Sequence, residues 1–93
     1  MIMNAKVPFH HIKVNKRQNE REIIFFYEEN WYRLDWAKVP EKFKILYVAF
    51  LKLRGSDIPN DLKEFEKDII DISDTNIEID LDACEKISTT YPL

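Results

Sequence analysis

Ninety-three residues, 45% hydrophobic and 13% aromatic, suffice for one folded domain spanning 1–93 and leave no room for a second. The formal net charge is −3, and Gly55 is the only glycine. P-loops and dinucleotide fingerprints need several residues without a Cβ beside phosphate, so nucleotide hydrolases and Rossmann oxidoreductases are excluded.

A lone cysteine, Cys84, excludes an internal disulfide. Met1 to Val7 carries no apolar run of signal-peptide length. Ile45 to Leu51 falls far short of the ~20 residues of a membrane span. The expected location is the cytoplasm, a host cytoplasm if the chain is viral, with no membrane partner.

Phe9 to Val14 predicts a first strand, and Asn15-Lys16-Arg17-Gln18-Asn19 a polar break. Glu22 to Glu28, rich in β-branched and aromatic residues, predicts a second strand. Trp31 to Trp36 alternates, with Tyr32, Leu34 and Trp36 on one face and Trp31, Arg33 and Asp35 on the other. It predicts a third strand, joined to the second through a Glu29-Asn30 turn. Residues 1–38 thus form a basic, aromatic hairpin region.

Two helices are expected over residues 40–73. Pro40 opens the first, and Phe43, Leu46, Tyr47, Phe50 and Leu51 form its stripe. Ile45, Val48 and Ala49 make it apolar on much of its remaining surface, so it is central or covered by another chain. Gly55 caps it. The second starts near Pro59, carries Leu62, Phe65, Ile69 and Ile72 at spacings of 3, 4 and 3, and ends near Ser73-Asp74. A final acidic strand over 76–82 alternates Ile77, Ile79 and Leu81 with Glu78, Asp80 and Asp82. The expected fold is α+β, in the order βββααβ, with both helices on one face of a small antiparallel sheet.

Charge is divided along the chain. Residues 1–55 hold 11 Lys and Arg against 6 Asp and Glu, whereas 56–93 hold 3 against 11. The acids are regularly spaced. Asp61, Glu64, Asp68 and Asp71 share one face of the second helix, and Glu78, Asp80 and Asp82 repeat every second residue, about 6.6 Å apart. Like charges at helical spacing repel. A duplex also presents rows of negative charge, which proteins grip with Lys and Arg. These seven carboxylates are therefore the expected contacts of a non-enzymatic inhibitor that mimics DNA and blocks a basic, nucleic-acid-binding partner. In character the chain is similar to small phage proteins that counter restriction or remodel host chromatin; no motif carries that likeness.

Direct nucleic-acid binding is the alternative. Trp31, Tyr32 and Trp36, with Tyr27 nearby, offer rings for stacking, and Arg33, Lys16, Arg17 and Arg21 offer phosphate contacts. The sequence pI of about 5.4 weighs against it. A structural subunit of a larger assembly is a third reading. A homodimer is expected, through the apolar first helix or through basic and acidic faces of two copies.

No cofactor or metal is expected. Asp74, Asn76, Glu78, Asp80, Asp82 and Glu85 match a calcium-loop spacing, but Ile79 stands where that loop turns on glycine. His10 and His11 on a strand point to opposite faces. Cys84 has no spaced partner, and Ser88, Thr89 and Thr90 lie in no nucleophile motif.

Overall fold

The structure, a computed structural model, describes residues 3–67 and 74–87. The fold is α+β with two antiparallel sheets. Strands β1 (Asn4–Pro8) and β5 (Asn76–Asp80) form the smaller. Strands β2 (Lys13–Arg17), β3 (Glu20–Tyr27), β4 (Asn30–Asp35) and β6 (Glu85–Lys86) form the larger, in that spatial order. Helix α1 is Glu41–Leu53, and Asn60–Lys67 is a 3-10 segment packed against it.

The small sheet is a correction to the expected single sheet. The acidic strand pairs not with the hairpin but with β1, a strand outside the expected order. Ala5 faces Ile79 and Val7 faces Ile77, and all four are buried. They join Ile23 and Phe25 of β3, Leu34 of β4, and Val39, Phe43 and Leu46 in one core. Burial of that apolar surface is what holds two small sheets and a helix together.

The expected strand over Phe9 to Val14 is broken. Phe9–His11 is a 3-10 turn that carries the chain from the small sheet to the large one. Ile12 N–H donates to the Phe9 carbonyl at 3.1 Å, and Phe9 N–H to the Thr75 carbonyl at 2.9 Å. Lys16 and Arg17, expected in a break, are the end of β2, because Arg21 and Glu20 of β3 lie opposite them in register.

Both hairpin turns are two residues long. Gln18 and Asn19 have φ of 54° and 68°, and Glu28 and Glu29 have 47° and 69°. Two consecutive positive values match the right-handed twist of the flanking strands. The second turn is therefore Glu28-Glu29 rather than Glu29-Asn30. The facing of β4 follows the expected alternation: Leu34 is buried inside, and Arg33 pairs with Glu85 outside.

Helix α1 ends as Gly55 implied. Gly55 has φ +72°, its N–H donates to the Lys52 carbonyl at 3.0 Å, and Ser56 N–H donates to the Leu51 carbonyl at 2.9 Å. That pair of bonds is a Schellman cap, which needs a left-handed residue. Val48, expected off the stripe, is buried, while Phe50 is 42% and Leu53 87% exposed.

The expected second α-helix is, over its described part, 3-10. Its first bond runs from Leu62 N–H to the Pro59 carbonyl, and Leu62 and Phe65, three apart, then share a face. Its continuation through Asp68, Ile69, Asp71, Ile72 and Ser73 lies outside the described residues, as do Ser88, Thr89 and Thr90. Asp82 sits in a 3-10 turn, Leu81–Ala83, beyond the end of β5.

Candidate functional site

Of the seven carboxylates singled out, Asp68 and Asp71 lie outside the described residues. The other five are exposed, and three of them, Asp61, Asp80 and Asp82, accept a hydrogen bond within the chain. Asp61 Oδ2 accepts from Arg21 at 2.6 Å. That hydrogen bond, with the charges of Arg21 and Lys16, holds the Asp61 carboxyl below its ordinary value of 3.8 against a smaller desolvation effect. Asp80 Oδ1 accepts from the Asp82 N–H at 2.9 Å and starts the 3-10 turn. Asp82 Oδ2 lies 3.4 Å from Met3 N. Glu78 stands opposite Lys6 on the solvent face of the small sheet.

Glu78 and Asp80 do share one face of β5, fixed by the fully buried Ile77 and Ile79 between and beside them. The acidic third of the chain is also partly matched by the basic half. Lys42 Nζ is 3.5 Å from Asp74, and Arg33 Nη2 is 2.7 Å from Glu85. Both carboxyls are held low, Asp74 chiefly by the Asn76 N–H and then by Lys42, Glu85 chiefly by the hydrogen bond from Arg33.

The alternative site is divided between the two faces of the large sheet. Tyr32 stacks on Phe25 at 5.6 Å, and Trp36 lies against Phe43 and Tyr47, so these rings belong to the inner side. Trp31 stays on the outer side, edge-on to Phe26 at 5.2 Å. Arg17 and Arg33 both turn to Glu22, at 3.2 and 3.7 Å. Lys16 lines a recess of about 510 Å³ together with Arg21, Trp36 and Asp61. A basic residue of one reading and an acidic residue of the other thus form one wall.

Sequence reasoning missed Glu22. It is 3% exposed, yet it accepts from the Asn15 amide at 3.0 Å besides facing the two arginines. A carboxylate at the head of the Ile23–Phe26 apolar run, two register steps from Arg33, was the available signal. It also missed the cationic cover of Trp36, where Arg21 and Lys44 lie 5.0 and 5.3 Å from the ring centre.

His10 and His11 do not lie on a strand; within their 3-10 turn the rings approach to 4.4 Å. Among the described residues, no group of three or more His, Cys, Asp or Glu could hold a metal. Burial, and secondarily the Asp80 charge, pushes the Cys84 thiol up to about 11. No described helix is long and apolar enough to cross a membrane.

Comparison with protein-family models, with curated proteins and with solved structures finds no match.

Proposed function

We propose that the chain is a non-catalytic, cytoplasmic binding protein whose acidic flank engages a basic, nucleic-acid-binding protein in place of DNA. The observation that supports this reading is the rigid pair on β5. Glu78 and Asp80 project to solvent at alternate positions of a strand whose Ile77 and Ile79 are fully buried, and exposed Asp82 follows in the next turn. Charges carried on a strand that buried neighbours hold in place lose little backbone freedom when a partner docks. Exposed Glu64 extends the flank on the 3-10 segment. Asp61 contributes less than the spacing promised, because Arg21 neutralises it.

Direct nucleic-acid binding draws less support. Two of its arginines are held by Glu22, and three of its rings face inward.

The test uses isosteric neutralisation in the combined variant Glu64→Gln, Glu78→Gln, Asp80→Asn and Asp82→Asn. The amide oxygen introduced at position 80 still accepts the turn hydrogen bond. At low salt the tagged native chain should retain a basic protein from source-cell lysate that duplex DNA displaces, and the variant should retain none while melting like the native chain. Equal retention by the variant, or failure of duplex DNA to compete, defeats the proposal.

A further inference from the structure

Burial falls off along α1. Phe43 is buried, Tyr47 one turn on is half-buried, and Phe50 is 42% exposed. The large sheet shows the same gradient. Ile23 and Phe25 of β3 are fully buried, whereas Val14 of β2 and Ile12 just before it are half-buried. The core is therefore closed in the middle and open between β2 and the C-terminal half of α1.

That opening is a recess of about 330 Å³, with Phe9, Ile12, Val14, Phe43, Tyr47 and Phe50 in its walls. It lies at the small end of the range for ligand pockets and has their apolar, aromatic lining. The rings are already arranged around it. Phe9 is tilted against Phe43 at 5.0 Å and edge-on to Phe50 at 6.1 Å. A guest ring or alkyl chain would add contacts of the same kind.

Arg54 stands at the mouth, its guanidinium 5.3 Å from the Phe50 ring centre. Among the described residues no carboxylate pairs with it, and no Asp or Glu lines the recess. Lys13 also borders the recess but has a contact of its own within the chain, so Arg54 is the group placed to receive an anion. A guanidinium offers a planar fork of donors that fits a carboxylate. A cationic guest would meet Arg54 with no carboxylate in reach. A second copy docked two-fold at this mouth would bring the two Arg54 charges together.

We propose that the recess binds a small apolar carboxylate, an arylalkyl or short alkyl acid, with its ring or chain among Phe9, Tyr47 and Phe50 and its carboxylate on Arg54. The site is separate from the acidic flank, and the combined neutralising variant should bind such an acid as the native chain does.

The experiment titrates 4-phenylbutanoate into the purified full chain, followed by amide chemical shifts in NMR. The control ligand is 4-phenylbutanamide, which keeps the ring and chain without the charge. Saturable shifts are expected at Ile12, Val14, Phe50 and Arg54, with the acid bound about tenfold more tightly than the amide. Arg54→Gln should remove that preference, and Phe50→Ala should weaken both ligands; both positions are exposed, and both variants should melt like the native chain. No saturation at millimolar acid, shifts centred elsewhere, equal affinity for acid and amide in the native chain, or a preference that survives Arg54→Gln would each overturn the proposal.

Discussion

Arg21 on β3 and Asp61 on the 3-10 segment, 40 positions apart, meet at 2.6 Å, with the same guanidinium 5.0 Å from the Trp36 ring centre. The contact ties the segment after α1 to the start of β3 in the large sheet. Asp61 is largely exposed, so solvent screens the pair and Asp61→Asn should cost no more than about 1 kcal/mol at neutral pH. A carboxyl held low in the folded state stabilises fully above its unfolded value and loses that contribution as pH falls through the folded one. The difference in urea midpoint between native and Asp61→Asn chains should therefore be present at pH 7 and fade in acid, below the ordinary carboxyl value of 3.8. A difference that persists in acid would show that the variant acts through packing.

The same contact explains what the sequence left hidden. Regular acidic spacing was legible, but Asp61 and Glu85 are matched by Arg21 and Arg33 from distant segments. No local pattern reveals such pairs. The facing of β4, the α1 span and the Gly55 cap were legible because hydrophobic period and capping chemistry act within a few residues. Strand β1 was not. Its signal is only Ala5 and Val7, and its partner β5 lies about seventy residues on. Lys16 and Arg17 looked like a loop because their strand is stabilised across the ladder, by Glu20 and Glu22, rather than by burial of their own side chains.

Glu22 should be the most costly surface-facing position to alter. Glu22→Ala strips the Asn15 amide and the Arg17 guanidinium of their acceptor at a site that is itself 3% exposed, and removes the carboxylate 3.7 Å from Arg33, which keeps Glu85. Loss of charged hydrogen bonds at a buried acceptor predicts about 2–3 kcal/mol of destabilisation, moderated here by the exposure of Arg17. Chemical denaturation of Glu22→Ala, Arg33→Ala and the double variant measures it. The two changes should be non-additive by more than about 0.5 kcal/mol, since they share one network. Simple additivity would mean that the arginine does not depend on the carboxylate.

Cys84 should be a slow thiol. Its Sγ donates to the Asp80 carbonyl at 3.4 Å, and burial together with the Asp80 charge raises it to about 11. The thiolate is the reactive form. The rate of alkylation by iodoacetamide should therefore keep rising with pH beyond about 9 in the folded chain, while the urea-unfolded chain levels off near its ordinary value. Asp80→Asn removes the smaller of the two causes, so its profile should shift only slightly to lower pH. A folded-state plateau near the ordinary thiol value of 9.0 would contradict the burial of this side chain.

The β3–β4 turn offers room for stabilisation. Glu28 and Glu29 both hold left-handed backbone, with φ of 47° and 69°, and a residue bearing a Cβ is disfavoured there by about 1 kcal/mol or more. Adjacent carboxylates add repulsion at the tip. Asn and Gly are the residues that two-residue turns of this type prefer. Glu28→Asn combined with Glu29→Gly should stabilise the chain by about 1 kcal/mol, because relieved strain exceeds the extra entropy glycine gives the unfolded state. In a domain of this size that raises Tm by about 4–8 °C, readable by calorimetry. The same pair placed at Gln18 and Asn19 should gain less, since Asn19 already tolerates the left-handed region. Equal gains at both turns would show that relief of glutamate repulsion and strain is not what separates them.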